Sequence, residues 1–242
     1  MSPHHAHSPC RLLGRAVLGA GAAAVAGAAV ARVLTGGPDA DLALPGDCLL
    51  PGAPIVATHG LDIAAPAERI WPWLVQMGAD RGGFYTFDRL ERAVGLGIHN
   101  ANAIHSQWQD LAVGDQVLLA AEAGFGLRVA LLEANHVLVL SSQGVRAPQS
   151  AGATMDFDFT WAFVLLETVG GCRLLVRERY RPHAAAAWAV VAATLPVSRL
   201  MTRGLLAGVR RRVERDGRLE RARGRALGRA SVSSREKTRV QS

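Results

Sequence analysis

The sequence predicts an α+β domain in which a curved antiparallel sheet wraps around a long C-terminal helix. Three observations carry that prediction. Between Asp156 and Leu166, Phe157, Phe159, Trp161, Phe163 and Leu165 alternate with Asp156, Asp158, Thr160 and Ala162, the period-two signature of a strand with one strongly apolar face. Between Val197 and Val213 the period changes: Val197, Leu200, Met201, Gly204, Leu205, Gly208, Val209 and Val213 recur at helical spacing. The elements also come in the order strand, short helices, several strands, long helix, and a sheet gripping that helix buries both apolar faces at once.

The elements follow in chain order. Residues 1–34 hold an uncharged run, Ala16 to Ala31, bracketed by Arg15 and Arg32. Its 16 positions would span roughly 24 Å as a helix, against a hydrocarbon core of ~30 Å. Adding Leu12, Leu13, Val33 and Leu34, with the arginines snorkelling, makes a single membrane span feasible. The alternative is a cleaved signal peptide with Arg11 and Arg15 as its basic start. Either way this hydrophobic helix lies outside the folded domain, and the side of the membrane stays open. Residues 35–54, punctuated by Gly36-Gly37-Pro38, Pro45-Gly46 and Pro51-Gly52-Ala53-Pro54, read as a linker. The domain is assigned to 55–216. It opens with a strand over Ile55–Ile63, then a short or kinked helix from Pro66 to Met77 with Pro72 inside it. Short helices are expected near Phe87–Val94 and Ala103–Leu111. Strands follow at Gln116–Ala121, Gly126–Glu133 and His136–Ser142, the last two joined at Ala134-Asn135. After the Asp156–Leu166 strand, Gly170-Gly171 turns the chain into Arg173–Tyr180. Ala184–Leu195 begins the closing helical region, where Pro196 kinks the helix or starts a second one. Residues 217–242 read as a basic, disordered tail.

Charge is segregated along the 242 residues. The net charge is +7, yet Arg203 to Arg239 holds 13 basic and 4 acidic residues, so everything before it sums to about −2. A basic tail can meet anionic lipid. Nucleic acid is not expected, because neither an aromatic-interleaved basic face nor zinc-ligand spacing accompanies the charge. Cys10, Cys48 and Cys172 form no CxxC pair; a Cys48–Cys172 bridge is possible in an oxidising compartment but nothing demands it. The single lysine, Lys237, stands in the tail, which excludes Schiff-base chemistry in the domain. GxSxG, HExxH and P-loop motifs are absent, and no metal or cofactor is expected.

Several segments together resemble a known family: Ala43-Leu44-Pro45-Gly46-Asp47; Ala65 through Gly78, which includes Trp71-Pro72-Trp73-Leu74-Val75-Gln76-Met77; Arg81-Gly82-Gly83-Phe84-Tyr85-Thr86-Phe87-Asp88; Trp108-Gln109-Asp110-Leu111; Val113-Gly114-Asp115; Thr160 to Leu165; and Leu174-Leu175-Val176-Arg177. They look like the START-related superfamily of polyketide cyclases, lipid-transfer domains and birch-pollen-allergen-like proteins, in a bacterial membrane-associated subgroup. The resemblance covers about Asp39 to Glu214. Arg89, Arg92 and Ala93 depart from the subgroup pattern, as does everything after Asp216. The resemblance implies a helix-grip fold with a hydrophobic cavity between sheet and C-terminal helix. It does not imply one reaction, since the fold hosts carriers and enzymes alike.

The residues assigned to a ligand are Trp73 and Met77 on the first helix, Arg81 and Tyr85 after it, His99, Trp161 on the alternating strand, and Met201 on the last helix. Asp80, Arg81, Tyr85 and Asp88 make the densest polar group among aromatics; they would orient a ligand's polar end, or Arg81 and Asp88 would simply pin the loop. One of Arg177, Glu178 and Arg179 must face inward and needs a partner there. The expected function is binding or transport of a small hydrophobic ligand: lipid, isoprenoid or polyketide-like. The alternatives are a cyclase or dehydratase using His99, Tyr85 or Asp88 to move a proton, and an interaction module with a filled cavity. No catalytic residue is assigned.

Overall fold

The computed structural model describes residues 39–86, 100–121, 124–143 and 156–240. The N-terminal apolar run, Phe87–Val94, Asp88 and His99 lie outside these residues. Six strands, β1 (Ile55–Ile63), β2 (Gln116–Ala120), β3 (Phe125–Glu133), β4 (Val137–Ser141), β5 (Phe157–Thr168) and β6 (Gly171–Pro182), form one sheet in the order β1-β6-β5-β4-β3-β2. Every neighbouring pair is antiparallel. Helix α1 (Ala67–Val75) follows β1, and helix α2 (Ala185–Val240) closes the chain.

The strands form where the alternation demands. The β5–β6 hairpin turns at Gly171, whose φ of 151° suits glycine. Asn135, at φ 62°, turns β3 into β4. Register shifts at Leu118/Ala120 and Val129/Leu131 mark irregularities in β2 and β3 of the kind that increase sheet twist. Helix α1 tolerates Pro72 because it is only nine residues long, with Ile70, Trp73 and Leu74 buried. The predicted helix at Ala103–Leu111 reduces to one 3-10 turn, Ser106–Trp108. Side chains have claimed that backbone: Gln76 donates to the Ala103 carbonyl (3.2 Å) and accepts from the His105 N–H (3.1 Å), and Arg81 donates to the Trp108 carbonyl (2.7 Å).

The sheet has two covered faces. On the inner face, Ile55, Ile63, Leu138, Leu140, Phe159, Phe163, Leu174 and Val176 join Ile70, Trp73 and Leu74 of α1 and Val191, Leu195, Leu205 and Val209 of α2 in one core. Helix α2 packs on β1, β6 and α1. By length and composition its apolar stretch could cross a membrane, but Ala187, Val191 and Leu195 are buried against the domain. The arrangement is α+β, an antiparallel sheet gripping a long C-terminal helix: the helix-grip fold.

The outer face corrects the boundary drawn at residue 55. The segment read as a linker lies, from Asp39 onward, as a strap across the sheet. Leu44 and Leu50 are buried, and Leu44 packs with Val137, Val139, Ala162, Val164 and Leu175 in a second core. Arg177, 2 % exposed, fixes the strap: its guanidinium donates to Asp47 (2.7 Å), the Leu42, Asp39 and Ala40 carbonyls (2.7, 3.0 and 3.1 Å) and Thr58 (2.9 Å). Prolines and glycines gave the strap its irregular path, and the outward arginines of β6 gave it a place. At the other end, α2 does not stop at Asp216. It runs through Val240 as one helix with Pro196 inside, so the predicted tail from 217 continues a helix. Its run of Arg, Ala, Leu and Glu is rich in good helix formers, and Arg69 of α1 pairs with Glu220. Cys48 is exposed and Cys172 buried, both as free thiols.

Candidate functional site

Strand β6 places three charges in succession, and alternation separates them. Arg177 and Arg179 point to the strap, where Arg179 donates to Asp47 (3.0 Å) and the Leu50 carbonyl. Glu178 therefore points inward, between Ala57 of β1 and Trp161 of β5 on the ladder. Its carboxylate is 3 % exposed. Three hydroxyls donate to it: Tyr180 Oη at 2.8 Å, Ser198 Oγ at 2.5 Å and Thr202 Oγ1 at 2.6 Å. Ser198 and Thr202 stand four residues apart on α2, one above the other on the face turned to the sheet. A buried carboxylate held only by hydroxyls is costly to build into a core, and it ties sheet to helix at one level. Burial pushes the Tyr180 phenol well above its ordinary range, with the Glu178 charge beside it acting in the same direction. His59, half-buried on β1, is held below its ordinary 6.5, first by burial and then by Arg199 and Arg203, against the opposing pull of Glu178.

Trp161 is next along the ladder. Its ring packs on Phe163 (4.8 Å between centroids) and Phe84 (5.8 Å). Its indole Nε1 is enclosed, and no acceptor among the described residues receives it. A buried N–H without a partner forfeits the free energy of a hydrogen bond, so its retention asks for an explanation.

The residues assigned from the sequence fall into two groups. Trp73, Met77 and Tyr85 come together deep in the inner core, at 1 %, 1 % and 0 % exposure. Tyr85 has φ 59°, donates its hydroxyl to the Trp73 carbonyl (2.8 Å) and meets the Trp73 ring edge-on at 5.5 Å. Arg212 of α2 lies 4.7 Å over the Tyr85 ring. Burial raises the Tyr85 pKa far above the usual phenol value. The backbone of this loop crosses α2 at Gly208, where an added Cβ would stand 1.9 Å from the Tyr85 carbonyl oxygen. Gly208, one of the small residues on the apolar side of the last helix, is thus covered by the chain itself. Arg81 is committed to the Trp108 carbonyl and tethers the loop. Trp161 and the half-buried Met201 are the second group, on the sheet and helix that flank Glu178. Glu178 itself, with Tyr180, Ser198 and Thr202, was not assigned. The signal was an inward charge on a strand whose phase the sequence left ambiguous.

Concavities open at two places among the described residues. One, about 440 Å³, opens between the β1 edge and α2 and includes His59, Leu61, Arg199, Arg203, Leu206 and Arg210. The other, about 360 Å³, lies at the β5–β6 turn and the start of α1. No grouping of three or more metal-ligating side chains occurs among the described residues.

No family model and no curated protein matches the chain. Solved structures do. MLL2253 of Mesorhizobium loti shares 17 % identity, with 66 % of this chain and 97 % of that one covered and a TM-score of 0.38. CV1439 of Chromobacterium violaceum shares 16 %, over 64 % and 96 %, with a TM-score of 0.37. DynU16, a protein in the dynemicin biosynthetic locus, shares 13 %, over 66 % and 47 %, also at 0.37. The chain's own architecture, six antiparallel strands around a long C-terminal helix, makes it an α+β protein of helix-grip type.

Proposed function

We propose that this domain binds or carries a small hydrophobic molecule with one polar end, held between the inner sheet face and α2 beside Trp161 and Glu178. The observation that carries the proposal is the Trp161 indole N–H, enclosed among aromatic rings with no acceptor among the described residues. A ligand carbonyl or hydroxyl would complete it, and Phe84 and Phe163 offer apolar surroundings for the remainder. The superfamily resemblance in the sequence points to the same class of ligand: lipid, isoprenoid or polyketide-like.

A cyclase or dehydratase reading is favoured by Glu178, an inward carboxylate. Against it, Oε2 already accepts two hydroxyl hydrogen bonds and Oε1 a third, so most of the carboxylate's acceptor capacity is spent on the fold itself. Binding is therefore the reading preferred. We also propose that the N-terminal apolar segment brings the domain to a membrane. The exposed Val190, Val197 and Leu200 on the outer side of α2 are compatible with a lipid surface.

The test uses the full-length chain in detergent micelles. Native mass spectrometry after purification from a lipid-containing lysate should show a retained hydrophobic species. A fluorescent fatty-acid probe should bind wild type about 2- to 10-fold more tightly than Trp161→Phe, the range of one hydrogen bond. Equal affinities would remove Trp161 from the site; an empty protein that takes up neither fatty-acid nor polyketide probes would overturn the binding function. If alkaline carbonate strips the full-length protein from membranes, the spanning segment is wrong.

A further inference from the structure

The groove between the β1 edge and α2 has a character that the hydrophobic site does not explain. Arg199, Arg203 and Arg210 stand at i, i+4 and i+11 on α2, within about 40° of one another around a 3.6-residue helix, and all three line the groove. Two carboxylates stand near it. Asp39, at the wall, is held by Arg173 Nη2 (2.7 Å) and Nε (3.1 Å). Glu178, behind His59, accepts three hydroxyl hydrogen bonds that leave its charge in place, one carboxylate against the three arginines of the groove. Among the described residues, Arg203 and Arg210 make no ion pair. The groove therefore concentrates positive potential inside a partly enclosed space, which attracts anions far more effectively than the same charges on a convex surface. Its volume of about 440 Å³ falls within the range of small-molecule clefts.

We propose that this groove is an anion site for a phosphomonoester group. Guanidinium forks match phosphate oxygens two at a time, and the pair at Arg203 and Arg210 suits a dianion with three free oxygens better than a single carboxylate. The wall carries a second message. Leu61, Leu206 and Ala207 line the same groove, so a phosphate bearing an apolar substituent finds contacts that inorganic phosphate lacks. His59, on the floor, can donate one further hydrogen bond from a ring nitrogen whether neutral or charged. The phosphate can belong to a lipid headgroup or be a free ion; the recognition chemistry is shared.

Calorimetric titrations of the full-length chain in neutral-detergent micelles, at 0.15 M salt, decide the matter. The probes are inorganic phosphate and dihexanoyl phosphatidic acid, with dihexanoyl phosphatidylcholine as the uncharged-headgroup control. Binding of phosphate or phosphatidic acid but not of the choline lipid is expected. The double variant Arg203→Gln/Arg210→Gln should weaken it by about tenfold for each guanidinium lost. The variant Arg218→Gln/Arg225→Gln removes the same charge from exposed positions further along α2 and should change affinity less than threefold. Circular dichroism verifies that both variants fold. Phosphatidic acid binding at least tenfold more tightly than phosphate identifies a lipid headgroup; equal affinities identify the free ion. The proposal is overturned if neither probe binds, or if both double variants weaken binding equally, which would make the effect a general property of a basic helix.

Discussion

Arg177→Met is the perturbation that most directly examines the strap. Methionine keeps much of the volume of the arginine stem and removes every donor. In the native protein the guanidinium makes five hydrogen bonds, one of them charge-assisted to Asp47 at 2.7 Å, and the side chain is 2 % exposed. Removing one partner of a buried ion pair typically costs about 3–5 kcal/mol. The low end applies here. Asp47 is 25 % exposed and keeps Arg179 at 3.0 Å and the Leu44 N–H at 3.0 Å, so its charge is not abandoned. About 3 kcal/mol is a large share of the ~5–15 kcal/mol by which domains are stable, and it corresponds to a Tm lower by about 6–12 °C at this size. Urea unfolding of the full-length chain, with limited proteolysis between residues 40 and 54, measures both consequences. Arg177→Lys, retaining three donors, should fall between wild type and Met. A loss below about 1 kcal/mol for Arg177→Met would refute the reasoning, since that is the worth of an exposed pair and would mean the strap is held elsewhere.

Tyr85 and Tyr180 are the only two tyrosines, and burial raises the pKa of both. A raised folded pKa gives stability that is complete below the ordinary value of 10 and lost as pH climbs toward the folded value. Absorbance at 295 nm should therefore stay flat through pH 10 and rise only as the protein unfolds; a normal phenol titration in folded protein would show that one ring reaches solvent. Gly208→Ala should destabilise by about 2 kcal/mol or more, because its Cβ would stand 1.9 Å from a backbone oxygen that cannot swing away like a side chain. A neutral result in thermal melts would mean that the Tyr85 loop is free to lift from α2.

How much of this was legible in the sequence depended on whether one face of each element was polar. Strand β5 announced itself because Asp156, Asp158 and Thr160 contrast with the aromatic face. Strand β6 hid its phase: Leu174, Leu175 and Val176 are apolar in succession because both faces of the sheet are covered, so Glu178 could not be told from Arg177 as the inward charge. The strap was invisible for a related reason. Prolines and glycines in 39–54 describe how the chain bends, while its partners Arg173, Arg177 and Arg179 lie about 130 residues away. Gly208 fits the helical period of its neighbours, and nothing local shows that the Tyr85 loop crosses it. The continuation of α2 past Asp216 was misjudged because a charge run says that a segment is solvated, and a solvated segment can still be helical.

The strap also fixes a direction of pull. Asp39, the first described residue, is gripped by Arg173 and at the same time forms part of the arginine groove's wall. The chain therefore enters the described domain at the rim of that groove. Tension from upstream would reach Asp39 first, loading its pair with Arg173 at the groove and its carbonyl's hydrogen bond from Arg177 at the sheet together.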